Sequence, residues 1–253
     1  MFDQPVVRPS PFHAIDPRVR LALAVLIAVC LAPLKNLTAC WLGLVLGVAL
    51  LATSRPPLSL LFRRLAVVNT FILFLWCVTP WTTPGTDLVQ WGVFAISAEG
   101  VRLSLLVSIK SNAIVCVFLA LVASMDSPTV GHALERLRCP RKLVFLFLFT
   151  GRYVYVLASE WQTLNVAARL RGFRPRTDLH TYRALASLLG MLLVRAYERS
   201  LRVREAMLLR GFEGRFRSVT VFRARPVDAL FALGLLLCLA GIAWTEWKGD
   251  PHV

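Results

Sequence analysis

Residues 19–53 read VRLALAVLIAVCLAPLKNLTACWLGLVLGVALLAT. These are two apolar runs, Val19 to Leu34 and Leu37 to Thr53, broken at Lys35-Asn36. As helix, each rises roughly 25 Å, a little short of a ~30 Å hydrocarbon core. Arg18, Arg20, Lys35 and Arg55 flank the runs and extend their reach, since a long basic side chain buries its stem and keeps its charge in the headgroup layer. The pair reads as a tight transmembrane helical hairpin.

The rest of the chain agrees. Of its 253 residues, 57% are hydrophobic and 17% charged, where soluble domains run near ~45–50% and ~25%. Mean hydropathy is +0.64. Lys and Arg number 29 against 14 Asp and Glu, a net charge of +15. An apolar chain with that much base is most simply an integral membrane protein with cationic cytoplasmic segments. A soluble nucleic-acid binder would account for the charge but not the apolarity, and a disordered chain for neither. Cys30, Cys40, Cys77, Cys116, Cys139 and Cys238 form no C-x-x-C pair, and most lie in apolar runs as small hydrophobes. They suggest neither a disulfide framework nor a zinc site. The first apolar run is not closed by a small-x-small cleavage site, so it does not read as a secretory signal.

Three further spans follow: Leu65 to Trp81, Val101 to Ser124, and Val227 to Trp244, the last closed by Trp244 and Trp247 at an interface. Lys110 and Asn112 interrupt the fourth span and must face protein or water. Ser54 to Arg64 is a short basic segment around Pro56-Pro57, and Thr82 to Ala98 a loop with Pro84-Gly85 turn chemistry. Asp16 caps the first helix, with Pro17 in its first turn. Between 126 and 224 lie most of the arginines, and they interrupt the apolar patches. That pattern predicts long amphipathic helices. One starts with Ser127 as cap and ends near Cys139-Pro140. A second covers about Arg141 to Arg171, a third about Tyr182 to Arg210. The fold class is therefore an all-α integral membrane protein: about five transmembrane helices plus a cytoplasmic domain of long amphipathic helices. The Lys/Arg asymmetry orients it: 1–18 a cytoplasmic N-terminus, 19–124 spans one to four, 125–224 the cytoplasmic domain, 225–245 the fifth span, and 246–253 an external tail.

One internal repeat stands out. Residues 167–173 read AARLRGF and residues 206–212 read AMLLRGF. Ala167/Ala206, Leu170/Leu209, Arg171/Arg210, Gly172/Gly211 and Phe173/Phe212 match, and each copy closes a long helix. Glycine just past a helix supplies a left-handed cap. Arginine in the last turn favours the negative end of the helix dipole and points a bidentate donor outward. A small alanine one turn earlier leaves room for a partner. One such ending is an ordinary helix stop; two in one arginine-rich segment point to recognition.

These endings resemble the coupling helices of the transmembrane T component of energy-coupling factor (ECF) transporters, in particular the cobalt/nickel branch, CbiQ-like. Further matches are HAIDPR (His13 to Arg18), SAEG (Ser97 to Gly100), ALERLRCP (Ala133 to Pro140), GRYVYVL (Gly151 to Leu157) and VRAYERS (Val194 to Ser200). The likeness runs over roughly residues 10–218. It implies that Leu170-Arg171-Gly172 and Leu209-Arg210-Gly211 each enter a groove on one of two ATP-binding cassette ATPase subunits. Ala167, Phe173, Ala206 and Phe212 would support those contacts. It also implies a membrane S component, similar to CbiM, that binds the substrate, most simply cobalt or nickel. The role implied is mechanical: no enzyme activity, no cofactor and no nucleic acid, in a bacterial or archaeal cytoplasmic membrane.

The remaining residues fit that picture. Arg195, Arg199 and Arg202 share one helix face, by default a solvated or headgroup-facing stripe. Arg152, Glu160 and Glu205 are candidates for internal ion pairs. His13, His132, His180 and His252 lack metal-ligand spacing, and no phosphate-binding loop or hydrolase motif occurs. The competing readings are a membrane-embedded enzyme and an anionic-lipid or nucleic-acid anchor. Its carboxylates, Asp126, Glu135, Asp178, Glu198 and Glu205, are too scattered for the first. Whether 142–158 spans or lies along the interface is open from the residues; the resemblance favours lying along it.

Overall fold

The computed structural model describes residues 12, 15–54, 58–84, 87–91, 94–212 and 226–248. They form α1 (Pro17–Leu31), α2 (Leu37–Ser54), α3 (Leu58–Thr82), β1 (Asp87–Trp91), β2 (Phe94–Ser97), α4 (Ala98–Leu121), α5 (Ser127–Arg136), α6 (Arg141–Leu170), α7 (Leu179–Leu209) and α8 (Pro226–Lys248). They fall into two compact units, one of residues 12–133 and 226–248, the other of residues 134–212.

In the first unit, helix starts follow local chemistry. The Asp16 carboxylate accepts the Arg18 N–H at 3.0 Å, with Pro17 opening α1. Asn36 Oδ1 accepts the Thr38 N–H at 3.2 Å at the start of α2. Ser97 Oγ accepts the Gly100 N–H at 2.9 Å and starts α4. These side chains satisfy donors that a helix leaves orphaned at its first turn.

α4 packs on α1, α2 and α3, and α8 packs on α1 and α2. Ile27, Leu31, Cys40, Val117 and Leu121 are the largest apolar side chains fully enclosed there. Burial against lipid gains little, because acyl chains are as apolar as leucine; close packing and hydrogen bonds decide helix pairing. Both are present. Gly43 and Gly47 form a Gly-x-x-x-Gly step on α2, and a Cβ at Gly47 would meet Ala113 O on α4 at 2.8 Å. The Gly43-x-x-x-Gly47 spacing that makes this seam stands in the sequence itself.

Polar ties close the bundle at several levels. Arg20 is 2% exposed. Its guanidinium donates to Phe12 O at 3.1 Å, to Leu121 O at 2.6 Å and to Ser124 Oγ. The Asp16 N–H donates to the Asp228 carboxylate at 3.0 Å. At the other end of α8, the Glu246 carboxylate accepts the Lys35 and Asn36 N–H groups at 2.7 and 3.1 Å. Lys110 donates to Ala32 O at 3.2 Å, and Asn112 exchanges hydrogen bonds with Asn69 of α3. Both residues meet protein, as an intramembrane polar group requires.

The bounds differ from expectation in places. α3 begins at Leu58, so Arg63 and Arg64 lie in helix and not in a connecting segment; after Pro56-Pro57 nothing stops the helix. The expected loop 82–98 holds an antiparallel ribbon pairing Val89 with Ile96 and Trp91 with Phe94. Alternating branched and aromatic residues carried that signal, and the ribbon is a small addition to a helical fold. α5 starts on Ser127 itself and stops at Arg136, before Arg138 turns left-handed at φ 64°.

Among the described residues, five helices are long and apolar enough to cross a membrane by length and composition: α2, α3 over Leu61–Thr82, α4, α6 and α8. Four are expected spans. α6 joins them, and α1, at 15 residues, is too short for that criterion.

In the second unit, α6 and α7 are 30 and 31 residues long. Only Val144 and Leu164 of α6 and Thr181 of α7 are buried. Phe145 of α6 lies against Phe212, just past α7, with centroids 5.8 Å apart. Glu160 of α6 meets Arg199 of α7 at 2.7 Å. α7 therefore runs back along α6.

Candidate functional site

The two repeat copies close α6 and α7 with the same motif. Arg171 is the C-cap of α6, at φ −85° and ψ 15°, and Gly172 follows at φ +84°. The Gly172 N–H donates to Arg169 O at 3.0 Å and the Phe173 N–H to Ala168 O at 3.1 Å. On α7, Arg210 is the C-cap at φ −86° and ψ 9°, and Gly211 stands at φ +74°. The Gly211 N–H donates to Leu208 O and the Phe212 N–H to Met207 O, both at 3.0 Å. This paired bonding is the Schellman ending, and it consumes carbonyls that the last turn would leave bare. A Cβ at either glycine would meet nothing within 4 Å. Glycine is there for its backbone angle alone. The arginines sit one residue later than the last helical turn in which the sequence placed them.

The motif aims side chains outward. Leu170 is 84% exposed and Leu209 90%. Ala167, Arg171, Gly172, Ala206, Arg210 and Gly211 are exposed, and Phe173 and Phe212 are half-buried. Among the described residues, neither the Arg171 nor the Arg210 guanidinium has a hydrogen-bond or ion-pair partner, while each backbone N–H is taken up in its helix cap. Each tip thus offers a guanidinium and an apolar leucine, on a backbone held rigid by its cap. That combination suits an acidic, partly apolar groove. The linker between the helices is tied down where the Arg176 N–H donates to Thr181 Oγ1 at 3.1 Å.

Of the three ion-pair candidates, the structure pairs Glu160; among the described residues no ion pair joins Arg152 or Glu205. Glu160 Oε1 accepts from Arg195 at 3.1 Å and Oε2 from Arg199 at 2.7 Å. Two members of the arginine stripe are thus engaged within the chain. Arg202 lies 3.9 Å from Glu198, an exposed i,i+4 pair, worth a few tenths of a kcal/mol at ~0.3–0.5. No group of three metal-ligating side chains occurs among the described residues. His13 and His252 lie outside the described residues.

Together these features define a class: a multi-pass helical membrane protein that presents two identically capped, arginine-tipped helix ends. Within that class, the chain belongs to the cobalt transport protein family CbiQ, whose model matches residues 9–221. The energy-coupling factor transporter transmembrane protein EcfT of Heliobacterium modesticaldum is 29% identical over 222 residues, 82% of this chain and 83% of the relative. EcfT of Acidaminococcus fermentans is 26% identical over 257 aligned positions, 93% of each. The cobalt transport protein CbiQ of Rhodobacter capsulatus is 33% identical over 106 residues, 42% of each.

Proposed function

We propose that this chain is the transmembrane coupling subunit of an energy-coupling factor importer, carrying the motion of two ATP-binding cassette ATPases to a membrane S component. The carrying observation is the pair of Schellman endings that display Leu170-Arg171-Gly172 and Leu209-Arg210-Gly211 in one geometry. Two like tips suit two like grooves, one on each ATPase subunit. ATP-driven closure of the ATPase pair moves the tips, and the helices carry that movement towards the membrane. Ala167, Phe173, Ala206 and Phe212 shape the surface around each arginine.

The bareness of α6 and α7 supports this reading. Ordering a residue costs roughly 1–2 kcal/mol of backbone entropy, and two helices that bury three side chains offset little of it within this chain. Partner subunits supply the missing burial. The charge asymmetry supports a cytoplasmic N-terminus, a 125–224 segment on the cytoplasmic side and an external C-terminus; α6, though apolar enough to span, then lies along the membrane interface. Chemistry on ATP belongs to the partners, and this chain acts mechanically. Of the two metals, cobalt or nickel, the family match and the cobalt transport relative favour cobalt.

The test is affinity purification of the tagged chain from its native membranes. Recovery of two ATP-binding cassette subunits and a small membrane protein is expected, and that protein's identity names the substrate. The Arg171→Glu/Arg210→Glu variant should insert normally but lose the ATPases and metal uptake. Wild-type uptake in that variant sinks the coupling role and promotes an enzyme or lipid-anchor reading.

A further inference from the structure

The two repeat copies are offset so that Arg171 corresponds to Arg210 and Leu170 to Leu209. Under the same offset, Glu160 corresponds to Arg199. These two corresponding residues are in contact: Glu160 Oε2 accepts from Arg199 Nη2 at 2.7 Å, across 39 residues of chain. A residue that touches its own counterpart lies on the axis relating the two copies, as in an isologous contact on a two-fold. Eleven residues separate Glu160 from Arg171, and eleven separate Arg199 from Arg210. Eleven residues are about three turns, or ~16 Å. Each arginine tip therefore stands an equal number of turns beyond the same ion pair, and near the same helix face as it.

We propose that the Glu160–Arg199 pair, with Arg195 on the other carboxylate oxygen, is the fastening point that makes α6 and α7 two equal arms, so that Arg171 and Arg210 match the spacing of a two-fold symmetric pair of partner grooves. This rests on the coupling reading above. The chemistry explains why the counterparts differ. Identical charged residues on such an axis would repel, whereas glutamate and arginine join there. The carboxylate is 19% exposed and has one guanidinium on each oxygen, at 3.1 and 2.7 Å. Both bonds are charge-assisted and set the azimuth as well as the distance of the crossing. Away from this pair the two helices also meet at the Phe145–Phe212 ring contact, with centroids 5.8 Å apart. Glu160, Arg195 and Arg199 are positioning residues: they act on the partner through where they place the two tips.

The experiment uses the full chain co-purified with its ATPase and S components, and compares Glu160→Arg with Glu160→Arg/Arg199→Glu. Val166→Cys and Glu205→Cys, exposed counterparts six residues beyond the pair, carry spin labels in a background whose native cysteines are replaced. The single reversal is expected to broaden the label-to-label distance distribution and lower uptake by about tenfold or more, and the swap to narrow the one and bring the other within about threefold of wild type. Wild-type uptake in Glu160→Arg, an unchanged distance distribution, or a swap no better than the single variant overturns the proposal. Arg171→Glu/Arg210→Glu, assayed alongside, separates the two ideas. If it transports normally, the coupling reading itself fails; if it is inactive while Glu160→Arg is fully active, only the fastening proposal fails.

Discussion

A Cβ added at Gly47 would stand 2.8 Å from the carbonyl oxygen of Ala113 and 3.3 Å from Cys116 Cβ, so α2 meets α4 backbone to backbone at this level. Neither neighbour is the far end of a flexible side chain. Gly47→Val should therefore force the helices apart and destabilise the detergent-solubilised protein by about 1–3 kcal/mol, the usual cost of overpacking. Gly241→Ala is the matched control, since a Cβ there meets nothing within 4 Å. It should be neutral or raise the melting temperature slightly, because alanine favours helix by about 1 kcal/mol. Equal melting of the two variants would contradict the seam.

The left-handed glycines predict a different signature. Gly172→Ala and Gly211→Ala meet no neighbour but place a Cβ at positive φ, which costs roughly 1–2 kcal/mol each. The N–H groups of Phe173 and Phe212, bonded to Ala168 O and Met207 O, should exchange with deuterium faster in the respective variant. Asparagine, which tolerates this conformation better, should lose less protection than alanine.

Arginine at the tips is predicted to matter as a fork and not only as a charge. In Arg171→Lys/Arg210→Lys each tip keeps its charge but loses one of two parallel bonds. At about 1.5 kcal/mol for a charge-assisted bond, ATPase affinity per tip should fall about tenfold. Titration of the ATPase pair onto membranes holding each variant measures this. Binding equal to wild type would mean that a point charge suffices.

Arg20 ties α1 to the end of α4 through Leu121 O and Ser124 Oγ. Arg20→Leu keeps the apolar stem but leaves those acceptors without their donor, at about 1.5–3 kcal/mol for a charged-group bond. The variant should melt earlier and be cleaved faster by protease, and Arg20→Lys should recover part of the difference. An Arg20→Leu variant as stable as wild type would show that the tie is dispensable.

Much of this fold is written in local sequence. Apolar runs, the Lys35-Asn36 break, the Asp16-Pro17 start and the two Leu-Arg-Gly endings are local patterns, and local patterns survive in one dimension. Pro84-Gly85 marks a turn but does not govern the whole loop: branched and aromatic residues alternate after it and pair as the 87–97 ribbon. α3 extends two turns further, to Leu58, than its apolar run, because Arg63 and Arg64 break the hydropathy but not the helix: arginine is a good helix former.

Sequence alone settled the membrane character, the start of α1 and the glycine endings of α6 and α7, since hydropathy, glycine and cap residues act within a few positions of themselves. It could not choose partners across the chain. That Glu160 takes Arg195 and Arg199, that Glu246 closes the turn at Lys35 and Asn36, and that Gly47 abuts Ala113 depend on which helix faces which. Many carboxylates and arginines in the sequence would satisfy charge equally well. Helix packing selects one arrangement, because only there do the backbones approach closely enough for these groups to meet.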